Sequence, residues 1–164
     1  MLRAATGEDL GFLREVLHLA AFPPGTPVPP AGIDDDHVAR YLEAWGRPGD
    51  LGLVAWIDGA PVGAGWVRLM DPGRPGYGFV DDRTPELTVA VIDAQQGRGL
   101  GRALVAGILD LAAVHGHDRV SLSVADAVNP VATGLYRSLG FTEVGRDGGG
   151  SLTMVAATAP PPPA

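Results

Sequence analysis

The sequence predicts an α+β fold (sandwich-like α/β layering) in which a central sheet is covered by helices on both faces. Three observations carry that reading. The chain has 164 residues, the size of one domain rather than of two independent cores. Apolar residues make up 46% of it and charged residues 19%, enough to build a core. Segments of strand period outnumber those of helical period, and their connections mix hairpins with helical crossovers.

In chain order, Leu2 to Ala5 reads as a short first strand. Thr6-x-x-Asp9 then forms a capping-box pattern with Asp in place of Glu or Gln. Leu10, Leu13, Leu17 and Ala20 share one face of the helix that follows, which should stop at Pro23-Pro24. A Pro/Gly-rich loop reaches Gly32, after which Asp34-Asp35-Asp36 precedes a second helix from His37 to Trp45, closed by Gly46 and Pro48. Leu51 to Met70 is β in pattern, two apolar segments around the hairpin turn Asp58-Gly59. Asp71 to Pro85 has no clear period and reads as a loop, with room for a short strand at Tyr77 to Val80.

Glu86 to Ile92 is a compact β-branched run. The glycine segment Gly97-Arg98-Gly99-Leu100-Gly101 leads from it into a helix with Leu100, Leu104, Ile108 and Leu111 on one face. Arg119 to Ala125 is a further strand, and Asn129-Pro130 opens a helix that Gly140 closes, through side-chain capping and a proline in the first turn. Phe141 to Val144 and Ser151 to Ala156 pair as a last hairpin around Gly148-Gly149-Gly150. The chain is thus expected to hold one domain over residues 1–158, followed by a Pro-rich disordered tail over 159–164.

Composition excludes several functions. Twelve basic against nineteen acidic residues give a net charge of −7, which opposes the phosphate attraction that dominates nucleic-acid binding, so no nucleic acid partner is expected. No apolar run approaches the roughly 20 residues that span a bilayer, and no basic patch with an apolar stretch opens the chain. A cytoplasmic protein with no membrane partner is expected. Without cysteine there is no disulfide, thiolate nucleophile or Cys-based zinc site. His18, His37, His115 and His117 are scattered away from metal-ligand spacing, so no metal is expected.

The glycines at the start of the third long helix matter because a helix N-terminus carries about half a positive charge and unpaired N–H groups. Gln96 to Arg102 is therefore a candidate anion cradle; the alternative is a tight turn that needs glycine for its dihedrals alone. The pattern is G-x-G-x-G after the fourth strand, not the G-x-G-x-x-G of a dinucleotide fold, and a chain without lysine cannot form a P-loop.

Gln96-Gly97-Arg98-Gly99-Leu100-Gly101 resembles the Q/R-x-x-G-x-G/A signature of the GNAT acyltransferases. Leu135-Tyr136-Arg137-Ser138-Leu139-Gly140-Phe141 is similar to the LY-x-x-x-GF segment of that family. The likeness covers about Leu51 to Met154. It implies a mixed, mainly antiparallel sheet of about six to seven strands with a V-shaped splay between strands four and five, and acetyl-CoA as the acyl donor. By the same resemblance, backbone groups of Val89, Ala90 and Val91 hold the pantetheine arm. The backbone of Gln96, Gly97, Arg98, Gly99, Leu100, Gly101 and Arg102 wraps the pyrophosphate, and Asn129 caps its helix first and contacts the cofactor arm second.

Acyl transfer from a thioester to an amine needs a neutral amine, a stabilised oxyanion and a proton for the departing thiolate. In the family's pattern Tyr136 stands as general acid, beside its alternative as a core aromatic. Glu86 stands where some members recruit a base, directly or through water, and is otherwise a strand-edge carboxylate. The strand-five position where relatives place a Glu reads Leu122-Ser123-Val124, which offers only a hydroxyl. The oxyanion would meet the Val89 N–H.

Trp45, Trp66, Tyr77 and Phe79 are candidate walls for the acceptor, and Asp34 to Asp36 or Asp81-Asp82 are candidate attractors of a cationic amine; the alternatives are core packing and helix capping. The resemblance implies direct acetyl transfer to a primary amine of a small molecule or peptide. Another acyl group, or a noncatalytic acyl-CoA-binding regulatory module, is the alternative. A homodimer through the sheet edge or Ser151 to Ala156 stands beside a monomer.

Overall fold

The computed structural model describes residues 1–158, so the stretch read as a tail lies outside the described residues. Seven strands form one sheet: β1 (Leu2–Ala4), β2 (Leu51–Ile57), β3 (Ala60–Arg68), β4 (Glu86–Val91), β5 (Arg119–Val124), β6 (Thr142–Arg146) and β7 (Leu152–Ala157), in the order β1-β2-β3-β4-β5-β7-β6. Every neighbouring pair is antiparallel except β4 and β5. Among the described residues four helices flank it: α1 (Leu10–Ala21), α2 (Asp36–Ala39), α3 (Leu100–Val114) and α4 (Pro130–Ser138).

Alternation along the strands sorts the two faces. On one, Val54, Ala64 and Trp66 pack against Leu13, Val16 and Leu17 of α1 and against Val38, Tyr41 and Leu42. On the other, Leu87, Val120, Leu122 and Val124 pack against Val105, Ile108 and Ala112 of α3, with Tyr136 of α4 and Leu139 just after it at the margin. Leu10, read as part of the α1 face, is exposed instead.

The capping box forms in a 3-10 turn over Gly7–Asp9 that leads into α1. There Thr6 N–H donates to Asp9 Oδ2 at 2.7 Å and Glu8 N–H to Thr6 Oγ1 at 3.3 Å. Arg3 also bonds the Asp9 carboxylate, at 2.9 and 2.6 Å, and with the Thr6 N–H holds its pKa below the usual value.

Three expectations need correction. The second helix does not run to Trp45; α2 is one turn long, and residues 40–46 continue as turns. The carbonyls that would accept its later helical bonds are taken by side chains of β3. Trp66 Nε1 donates to Tyr41 O at 2.8 Å, and Arg68 Nη1 to Arg40 O at 3.1 Å and Glu43 O at 2.6 Å. No strand forms at Tyr77 to Val80, because Tyr77 and Gly78 spend their N–H groups on the side chains of Tyr41 and Glu86. Finally, β7 is paired on both sides, so Ser151 to Ala156 is not a free edge. The outer strand is β6, exposed along its length.

Candidate active site

β4 and β5 share a single register pair, Glu86 with Ser121, and then part. Ser121 N–H donates to Pro85 O at 3.0 Å, while at the far end Ile92 N–H donates to Val62 O at 2.9 Å, toward β3. Backbone groups alternate sides along a strand, so Val89 and Val91 turn their N–H and C=O groups to the gap and Ala90 turns its own to β3. Ala90 therefore offers no backbone group to a ligand in the gap. Of the two that face it, Val91 O already accepts Gln96 Nε2 at 3.1 Å.

Beyond the strand end, Gln96 Nε2 also reaches Asp93 Oδ1 at 3.1 Å, so this side chain ties the loop to β4. Gly97 and Gly99 adopt φ of 76° and 80°, the left-handed region, and a Cβ on either would point into open space. The first bond into α3 is Ala103 N–H to Gly99 O at 3.0 Å, which leaves the N–H groups of Leu100, Gly101 and Arg102 without intrahelical acceptors. An open turn with outward N–H groups at a fifteen-residue helix fits a pyrophosphate. Arg98 is exposed beside it, and Arg102 reaches Ser138 Oγ at 2.6 Å. Gly101 lies beside α4, and a Cβ there would make an ordinary contact with Leu135 Cδ2 at 3.5 Å. Asn129 is the helix cap, its Oδ1 accepting from Ala132 N–H at 3.3 Å.

Glu86 opens β4 with only 2% of its surface exposed. Its Oε1 accepts the Tyr41 hydroxyl at 2.5 Å and Gly78 N–H at 2.8 Å; its Oε2 is buried without a partner among the described residues. Burial outweighs both hydrogen bonds and raises its pKa to about 7. Ser121, its register partner, is fully buried, and its Oγ also lacks a partner among the described residues. Register partners point to the same face, so two orphaned oxygens lie on one face at the apex of the gap.

Tyr136 belongs to the opposite layer. Its ring packs edge-on against Phe141 with centroids 5.7 Å apart, and burial alone raises its pKa to about 12, with no hydrogen bond contributing. The candidate base and the candidate acid thus belong to the cores on opposite faces of the sheet.

The expected acceptor walls divide. Trp66 is fully buried core, and Trp45 packs edge-on against it at 6.1 Å. Phe79 packs against the same core, whereas Tyr77 is exposed and stacks on Tyr41 at 6.4 Å. The aspartates serve local structure. Asp35 caps α2 through His37 N–H, Asp34 meets Arg14, Asp36 meets Arg40 and Arg74, and Asp81 meets Arg119. Among the described residues no three His, Asp or Glu side chains gather as a metal site.

Sequence reasoning passed over Tyr41 as a partner of Glu86, and Gly76 and Gly78 as the backbone above it. The signal in the sequence is Gly76-Tyr77-Gly78; in the structure neither glycine has a positive φ, and each is needed for room, since a Cβ on Gly76 would overlap Glu86 Oε2 and one on Gly78 would lie 2.5 Å from the Leu122 carbonyl carbon.

Residues 14–141 match the family model described as the Acetyltransferase (GNAT) family. A mycothiol acetyltransferase of Clavibacter sepedonicus is 39% identical over 114 residues, which are 69% of this chain and 33% of that protein. Human N-acetylaspartate synthetase is 34% identical over 99 residues, 60% of this chain and 30% of that one. The chain spans about a third of the length of these curated relatives. Among solved structures, a ribosomal-protein-alanine N-acetyltransferase from Brucella melitensis superposes with a TM-score of 0.74 at 26% identity, covering 96% of this chain and 99% of that one. A Salmonella typhimurium acetyltransferase structure with its cofactor acetyl-CoA gives 0.75 at 25% identity, covering 97% and 94%.

Proposed function

The chain belongs to the acetyltransferase (GNAT) family, and from that premise we propose that it transfers an acetyl group from acetyl-CoA to a primary amine of a small molecule or peptide, by direct attack in a ternary complex. The observation that carries this reading is the parted β4–β5 pair, flanked at one end by the glycine turn of α3 and at the other by buried Glu86.

Each residue then has a task. The N–H groups from Gly97 to Arg102 hold the pyrophosphate, with Arg98 and Arg102 adding positive charge. The gap-facing groups of Val89 and Val91 extend sheet-like bonds to the amide-bearing arm, and Val89 N–H receives the oxyanion. Glu86 is the base. A pKa of about 7 leaves it half ionised at neutral pH, suited to removing the amine proton. Val89 lies three residues on, about 10 Å along the strand, so the proton reaches Glu86 through water rather than by direct contact. Tyr136, protonated at any working pH with a pKa of about 12, donates to the departing sulfur.

Two relatives point to the class of acceptor. N-acetylaspartate synthetase and the ribosomal-protein-alanine enzyme are both named for acetylating the amine of an amino-acid unit. The test is acetyl transfer, followed by thiol release and mass spectrometry, over aspartate, alanine-initiated peptides and thiol-bearing amines. Acetylated amine is expected. CoA binding with no product across the panel would favour the noncatalytic module instead.

A further inference from the structure

We propose that Tyr41 is a positioning residue for the proton-accepting carboxylate, fixing Glu86 so that Oε2 alone is left to take a proton. This rests on the reading of Glu86 as base. Its own support is geometric. Oε1 already accepts two donors, the Tyr41 hydroxyl and Gly78 N–H. A third proton on that oxygen has no place, so protonation of the carboxyl falls to Oε2. That oxygen is buried, without a partner among the described residues, on the face it shares with the equally orphaned Ser121 hydroxyl where β4 and β5 part.

Tyr41 is itself held from three directions. Trp66 Nε1 donates to its backbone carbonyl at 2.8 Å, Tyr77 N–H donates to its hydroxyl at 2.7 Å, and its ring stacks on Tyr77. With its oxygen accepting from Tyr77 N–H, the one hydroxyl proton has Glu86 Oε1 as its acceptor.

The other groups around Glu86 leave this role to Tyr41. On β3 the register neighbour is Arg68, whose guanidinium is turned to Asp50 at 2.9 and 2.7 Å and to the carbonyls of Arg40 and Glu43. On β5 it is Ser121, and from the loop come the backbone of Gly76 and Gly78 with the Tyr77 ring outside. Tyr41 is the one ionisable side chain bonded to the carboxylate among the described residues.

The test is the titration of Glu86 followed by carboxyl 13C NMR, the signal assigned by its loss in Glu86→Gln. Removing the hydroxyl in Tyr41→Phe removes a donor to the ionised form, so the midpoint should rise from about 7 by about one pH unit, with no change in Tyr136→Phe. With an amine that the wild type acetylates, Tyr41→Phe should then lose about tenfold in kcat/KM at pH 6 and little above pH 9. Should Tyr41→Phe fail to fold, 3-fluorotyrosine incorporation, which makes the phenol a stronger donor, should move the midpoint down. An unmoved midpoint in the folded variant overturns the positioning role. A wild-type pH profile in Glu86→Gln overturns the base reading instead, so the two failures are separable.

Discussion

A Cβ built on Gly76 would overlap Glu86 Oε2 and stand 2.7 Å from the Tyr41 hydroxyl, so the only atom that the loop can place above the carboxylate is hydrogen. Gly76→Ala must push the carboxylate or the loop aside. Loss of at least tenfold in kcat is expected with acetyl-CoA affinity unchanged, alongside an overpacking cost of about 1–3 kcal/mol. Steady-state kinetics and calorimetric titration of the folded variant check both parts.

The raised pKa of Glu86 has two signs to read. With Glu86 as the proposed base the ionised form is the active one, so kcat/KM should rise with pH through about 7. Stability runs the other way. The folded state binds the proton more tightly than the unfolded chain, so the contribution is full below about 4.5 and is lost as pH rises through about 7. The melting temperature of Glu86→Gln should therefore gain on the wild type across that window. A constant difference between them would contradict it.

Arg68 and Asp50 form an ion pair in which the side chains are 1% and 3% exposed. Asp50→Asn leaves a buried guanidinium without its counter-charge, at a cost of about 3–5 kcal/mol. In a domain of this size that lowers Tm by roughly 10 °C, measurable by thermal melting.

Tyr136→Phe removes a hydroxyl that no hydrogen bond holds among the described residues. Tm and acetyl-CoA affinity should stay near wild type while kcat falls by about 10²-fold. A lowered Tm with kcat near wild type would return Tyr136 to the role of a core aromatic.

Gly99→Ala places a side chain at φ 80°, costing about 1–2 kcal/mol of backbone strain at the first turn of α3. Weaker acetyl-CoA binding, by tenfold or more, is expected from calorimetry.

Local features of the fold were legible in the sequence because their causes are local. Asp58-Gly59 marks the β2–β3 turn, Asn129-Pro130 the start of α4, and the glycines the start of α3. The second helix was misread because side chains of β3, more than 20 residues on, take its carbonyls. The position of β7 between β5 and β6 is a choice of pairing that no local pattern records. The same holds in the candidate site. Glu86, Tyr136 and the glycine turn follow from motif and position. Tyr41 lies 45 residues from Glu86 in sequence, and a tyrosine on an apolar face looks the same whether its hydroxyl meets a carboxylate or water.

Thermal melting with acetyl-CoA, CoA and NAD tests most directly whether the β4–β5 gap and the α3 turn form an acyl-CoA site. At a hundred times the dissociation constant, a specific ligand adds about 2.7 kcal/mol, a rise in Tm of roughly 5–10 °C. That rise is expected with acetyl-CoA and CoA, and none with NAD. No shift with either CoA species at saturation would make the glycine turn only a turn, and the proposed activity would fall with it.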